Sequence, residues 1–276
     1  MGQRWNEETR QTRSSAASPG SFDSPRMGGS NPLAKAGRRS LMGFAVIIPL
    51  QALQKFYGSS LGKKTLVALT GLVLLAFVFG HMAGNLLIYA GRDALNSYAE
   101  KLQNAGVLLW AARIGLLGAA TLHVVTTLHL ARHNRLASQP RPVFQRTVQA
   151  SRASLTMVWT GLLVAGFVIY HVLHFTVTPD AGQPGYYELS SQGPRHDVYG
   201  MVVQGFRVPL ISLFYVASMV ALCFHISHGF SSVFQTLGLR TERNWALIRG
   251  AGLAFAALIF VGNVSIPVSV LLGWIS

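Results

Sequence analysis

The stretch Lys64–Ala90, KTLVALTGLVLLAFVFGHMAGNLLIYA, decides how this chain is read. It exceeds the roughly 20 residues an α-helix needs to cross a bilayer. Beyond Lys64 it holds no Lys, Arg, Asp or Glu, yet it carries His81. An ionisable side chain at membrane depth is costly and is rarely there without a function. Three other long apolar stretches repeat the feature: Ala105–Ala131 carries His123, Ser154–Val177 carries His171 and Val202–Phe234 carries His225. A fifth, Leu247–Trp274, has no histidine. Leu41–Leu53 is apolar but short, so residues 41–63 are expected to lie at the interface or re-enter the bilayer. The sequence thus predicts an all-α integral membrane protein with five transmembrane helices, four of them forming a histidine-bearing bundle.

Composition fits that class. Of 276 residues, 50% are hydrophobic and 12% charged, against about 25% charged in soluble domains, and the mean hydropathy is +0.38. One cysteine, Cys223, leaves no basis for a disulfide framework, a cysteine-held iron–sulfur cluster or thioether attachment of a haem. Residues 1–40, with SSAASPGSFDSPRMGGSNP, are polar and rich in Gly, Pro and Ser. They read as a disordered or loosely docked tail rather than a secretion signal.

Loop charge sets the expected orientation. Most of the 23 Lys and Arg lie before the first span, between spans two and three, or between spans four and five. The middle loop carries Arg132, Arg135, Arg141, Arg146 and Arg152. The alternate loops, Gly91–Asn104 and Thr178–Met201, hold Asp93, Glu100, Asp180, Glu188 and Asp197, five of the nine acids. Basic loops face the cytoplasm, which puts the N-terminus inside and the C-terminus outside. The net charge of +14 then needs no nucleic acid, for which no binding motif is present.

Depth follows from the direction of each span at about 1.5 Å per residue. His81 is 17 residues past Lys64 and His171 is 17 past Ser154, so both lie roughly 26 Å from the inner edge. His123 is 8 residues before Ala131 and His225 is 9 before Phe234, which places both about 12–14 Å from that edge. His81 therefore pairs with His171, and His123 with His225. A lone membrane histidine often only hydrogen-bonds a neighbouring helix. Two matched pairs on four helices instead have what two six-coordinate haem irons need in axial ligands. An outer b haem is expected at His81/His171 and an inner one at His123/His225. His174 and His228, each three residues past a proposed ligand, stand as propionate or quinone contacts or as alternative ligands. His196 and His133 are expected to be solvated. Gly80, Gly84 and Gly229 would give a macrocycle room, or simply let helices pack closely.

Four segments carry a family resemblance: GHMAGNLLIYAG around His81, LHVVTTLHLARHNR around His123, VIYHVLHFT around His171 and HISHGFSSVFQTLG around His225. With DVYGMVVQGF and the closing SIPVSVLLGW, they resemble the cytochrome b membrane anchor of succinate dehydrogenase/fumarate reductase, in its single-chain, five-helix, two-haem form. The resemblance runs from about Lys63 to the C-terminus. It implies the same pairing, first ligand with third and second with fourth. It favours His171 over His174, and it favours His225 over His228 because Gly229 and Gly238 follow His225 at the family's spacing. Two residues before the fourth ligand a branch of the family has a glutamate linked to proton movement; this chain has Cys223.

The resemblance implies a subunit of succinate:quinone oxidoreductase in the bacterial cytoplasmic membrane, within respiratory electron transport and the tricarboxylic acid cycle. Partner flavoprotein and iron–sulfur subunits oxidise succinate and deliver electrons; this chain passes them through two b haems to quinone, menaquinone by preference. It implies lipid contact and leaves room for a higher oligomer of the complex. Tyr98, Glu100 and Gln103, between spans one and two, are candidate outer-side quinone residues. Two other classes compete: a di-haem cytochrome b serving a hydrogenase or formate dehydrogenase, and a haem-free transporter. A transporter would favour inverted repeats and intramembrane carboxylates, and no Asp or Glu falls within a span.

Overall fold

A computed structural model describes residues 41–137, 152–177, 187–190 and 193–276. The tail, residues 1–40, and the middle-loop residues Arg141 and Arg146 lie outside them, as does Asp180. The chain forms two units, residues 1–50 and 51–276. Of the first unit the described part is helical and opens α1 (Leu41–Gly58).

Among the described residues five helices are long and apolar enough to cross a membrane, and the chain is an all-α, multi-pass membrane protein. The spans are Ser60–Ala90, Val107–Asn134, Thr156–Val177, Pro209–Thr236 and Trp245–Leu271. They are built on α2 (Ser60–Asn85), α4 (Val107–Ala137), α5 (Arg152–Val172), α7 (Pro209–Thr236) and α8 (Trp245–Leu271). Helices suit this solvent because each satisfies its own backbone where no water can. Their surfaces are inverted relative to a soluble protein. Leu108, Ile114 and Leu117 on α4, Trp159 and Leu163 on α5 and Leu210 on α7 face outward, whereas Thr70, Thr126 and Ser212 are buried.

The spans begin and end differently from the sequence expectation in instructive ways. α2 passes into a 3-10 turn at Leu86–Ala90, and α5 into a π-helical turn at Leu173–Val177. Span four starts at Pro209, not Val202. Val198–Phe206 is a separate helix, α6, and the chain breaks at Val208, which is extended at φ −81° and ψ 110°. Proline has no N–H to give a preceding turn and disfavours helical geometry in the residue before it. The break frees the Phe206 carbonyl, which accepts a 2.7 Å hydrogen bond from the buried Ser212 hydroxyl. At the other end of α7, Gly238 sits at φ +72°, and the Leu239 amide returns to the Phe234 carbonyl at 2.9 Å. That is a left-handed helix cap of the kind glycine permits.

Gly91–Asn104, expected as a loop, contains the helix α3 (Arg92–Asn104). The segment before α6 forms an antiparallel hairpin of β1 (Tyr187–Ser190) and β2 (Gly193–His196), with Glu188 opposite Arg195.

In the bundle α2 packs on α4 and α7, α5 packs on α7 and more lightly on α4, and α8 covers α7 and α2. Helices α2, α4, α5 and α7 thus close a ring, with α2 diagonal to α5 and α4 diagonal to α7. Close approach of α8 depends on small residues: the Met82 side chain occupies the space where Gly262 lacks a Cβ, and Ala256 and Ile259 are essentially fully buried beside it. A second apolar cluster, including Phe167, Phe206, Tyr215 and Ile266, ties α5, α6, α7 and α8 together.

Candidate functional site

Each diagonal of the ring carries one histidine pair. The His81 and His171 ring centres are 5.7 Å apart, with planes at 82°. Those of His123 and His225 are 6.4 Å apart, at 72°. Two imidazoles that shared one metal ion, each about 2 Å from it, could have centres about 6 Å apart, and both pairs lie near that separation.

What holds the rings is a repeated device on α2 and α5. Thr70-Gly71-Leu72, then Phe77-Val78, then His81 on α2 correspond to Thr160-Gly161-Leu162, Phe167-Val168 and His171 on α5. In each helix the phenylalanine one turn before the histidine lies against its ring. Phe77 stacks on His81 at 5.4 Å and 23°, and Phe167 lies 5.8 Å from His171 at 31°. The Thr-Gly dipeptides, 11 residues or about 16 Å earlier on each helix, seat the other pair. Thr70 Oγ1 is 3.1 Å from His123 Nδ1, and Thr160 Oγ1 is 3.5 Å from His225 Nδ1. A Cβ on Gly71 would come within 3.2 Å of His123 Cε1, and one on Gly161 within 3.1 Å of His225 Cε1. A larger residue at either position would need the imidazole to give way by a few tenths of an ångström. The two pairs are therefore separated by the same interval on both helices.

His171 has a different partner. The Tyr215 hydroxyl lies 3.3 Å from His171 Nδ1 and 3.0 Å from His174 Nδ1. His174 is in the π-helical turn and packs with Phe175 against Gly205 of α6. His228, on α7, is half-buried one turn beyond His225. Thr126, one turn beyond His123, is fully buried and its hydroxyl has no partner among the described residues.

Among the glycines expected to leave room for a macrocycle, Gly84 does not: the Tyr98 ring fills its space, with the hydroxyl 2.7 Å from where a Cβ would stand. Gly80 faces open space, and Gly229 meets only Met157 at 3.6 Å. Tyr98 packs on α2, Glu100 lies 3.9 Å from Arg195, and Gln103 is exposed.

The acidic segments past the His81/His171 end of the bundle form a closed polar cluster. Arg195 bonds Glu188 at 2.6 Å, Asp93 at 2.7 Å and the Ser97 hydroxyl at 2.8 Å. Hydrogen bonds to Asp93 and Glu188 raise its pKa further. The fully buried Asn96 donates to Glu188 and Asp197, each at 2.8 Å, and accepts from the Tyr199 amide at 2.9 Å. Asp197 caps α6 through the Gly200 amide and pairs with Arg92. Burial opposes ionisation of Asp197, but the Gly200 amide, Asn96 and Arg92 outweigh it and hold its carboxyl below the ordinary value. His196, expected to be solvated, has a buried Nδ1 with no partner among the described residues and lies edge-on to Tyr187 at 5.7 Å. At the opposite end, the Tyr57 hydroxyl is 2.8 Å from His129 Nδ1, with Lys63 over the Tyr57 ring at 5.8 Å.

The sequence reading missed Thr70, Gly71, Thr160, Gly161 and Tyr215. The first four were visible as an internal repeat, since Thr-Gly-Leu, Phe-Val and His recur at identical spacing. Tyr215 carried no such signal. No protein-family model, no curated protein and no solved structure matches this chain.

Proposed function

We propose that this chain is the di-haem cytochrome b subunit that anchors a succinate:quinone oxidoreductase in the membrane. The observation that carries the reading is the pair of facing histidines on each diagonal of one four-helix ring, at ring separations of 5.7 and 6.4 Å. His81 and His171 would hold one haem b, and His123 and His225 the other. When bound, the haems supply one-electron transfer between the iron–sulfur partner and quinone.

The chain's own residues do the rest. The helices hold four imidazoles in two facing pairs, with His123, His171 and His225 partly buried among them. Phe77 and Phe167 restrict two of the rings. The Nδ1 atoms of His123, His171 and His225 each face a hydroxyl, and a histidine that ligates a metal through one nitrogen commonly has the other held by a hydrogen bond. The enzyme class comes from the resemblance of the four histidine segments, and the orientation from the Lys/Arg bias of the loops. On that orientation the His123/His225 pair is nearer the cytoplasm and the partner subunits, and the chain itself contributes no succinate chemistry.

Purification of the native complex tests this. Flavoprotein and iron–sulfur subunits should co-purify, and the reduced-minus-oxidised spectrum should show two low-spin b haems per chain. Haem-free protein in a correctly assembled complex would overturn the reading. Two haems with a hydrogenase or formate dehydrogenase partner would retain the site and change the enzyme.

A further inference from the structure

The two ligand pairs are held by chemically different partners, and the difference lies in where each partner's proton is spent. The Thr70 hydroxyl lies 2.7 Å from the Leu66 carbonyl and 3.2 Å from the Val67 carbonyl. That of Thr160 lies 3.2 Å from the Thr156 carbonyl and 3.1 Å from the Met157 carbonyl. A hydroxyl has one proton and two lone pairs, and these carbonyls can only accept. With its proton given to its own helix, each threonine oxygen can only accept from the imidazole beside it. With the threonine protons so placed, His123 and His225 donate Nδ1–H to the two oxygens. Tyr215 is unlike either threonine. Its single hydroxyl faces two imidazoles, His171 and His174, so it can accept from one while donating to the other.

We propose that Thr70 and Thr160 are positioning residues that lock His123 and His225 in the Nδ1–H tautomer and set the reduction potential of the haem they bind. The inference rests on the di-haem reading above. An acceptor at Nδ1–H makes the imidazole a more basic ligand. A more basic ligand favours the oxidised, more positively charged iron and lowers the potential. The adjoining Gly71 and Gly161 let each imidazole come close enough to reach the threonine. Because the same Thr-Gly seat occurs once on α2 and once on α5, the inner centre is supported from both sides, whereas at the outer centre Tyr215 faces His171 and no Thr-Gly seat is present among the described residues.

The test is a redox titration of the purified, haem-loaded chain, followed optically. His81→Ala and His123→Ala assign the two waves. Thr70→Val and Thr160→Val keep the side-chain shape and remove the acceptor. Each should move the inner wave to higher potential, the double variant further, with the outer wave unmoved. Thr70→Ala should also raise it, and Thr70→Ser, which keeps the hydroxyl, should return it to the wild-type position. The unmoved outer wave serves as the check that the bundle is intact. Both waves at wild-type potentials in the Val, Ala and double variants, or a downward shift, would overturn the inference while leaving the di-haem function standing. Wild-type chain without haem would instead overturn the functional reading itself, and this inference with it.

Discussion

The Tyr215 hydroxyl stands 3.3 Å from Nδ1 of His171, and the same oxygen is 3.0 Å from Nδ1 of His174. The phenol thus joins a proposed ligand to the histidine one turn beyond it, at the point where α5 turns π-helical. π-Turns inside helices recur at functional sites; here the turn lets both rings reach one hydroxyl. Tyr215→Phe should leave two part-buried imidazole nitrogens without this hydroxyl, at about 1 kcal/mol. The expected outcome is a lower melting temperature and a shifted outer-haem wave, with the inner wave unchanged. A titration indistinguishable from wild type would show that Tyr215 does not hold His171.

Removing ligands should be selective. His81→Ala or His171→Ala should abolish one haem and leave the other, and His123→Ala or His225→Ala should do the converse. Pyridine haemochrome analysis counts the haems. His174→Ala and His228→Ala should retain two haems, and loss of a haem from either would exchange it for its neighbour as ligand.

The glycine seats give a steric prediction. A Cβ at Gly71 or Gly161 would press on an imidazole at 3.2 or 3.1 Å, and overpacking of that kind costs about 1–3 kcal/mol. Gly71→Ala and Gly161→Ala should therefore reduce occupancy of the inner haem alone. Gly118→Ala, on an exposed face of α4 with nothing within 4 Å of its Cβ, should keep both. Haem content of the purified variants decides between these outcomes.

Acid should loosen the polar cluster. The Asp197 carboxyl is held below its ordinary value of 3.8, so it binds fewer protons folded than unfolded. Its contribution is complete above 3.8 and is lost as pH falls through the lower folded value. Asp197→Ala removes the α6 cap, worth about 0.5–2 kcal/mol, and leaves Asn96 and Arg92 without that partner. The variant should melt below wild type at pH 7, and the gap should narrow once pH falls well under 3.8. A gap that stays constant into acid would show that the charge on Asp197 contributes nothing.

Topology follows from the Lys/Arg bias. A reporter fused after Ser276 should be external and one inserted near Ser138 cytoplasmic. The reverse pattern would exchange the inner and outer pairs without altering the site.

Span number and histidine pairing were legible without coordinates, because both depend on local quantities. Twenty apolar residues cross a bilayer whatever their neighbours, and depth along a helix is a matter of counting residues. The Thr-Gly-Leu repeat was legible too, but its meaning was not: nothing in α2 alone says that Thr70 faces a histidine carried by α4. Span four was misjudged at its start because hydropathy runs unbroken through Phe206, whereas the backbone must break before Pro209. Gly84, open in the sequence, is filled by Tyr98 from α3. The acidic loops, read only for orientation, close on one another through Arg195 and Asn96. In each case the sequence determined what a residue is and how deep it lies. Which helices are diagonal, which hydroxyl meets which imidazole, and which glycine is already occupied were decided only by packing, because those contacts join residues tens of positions apart in the chain.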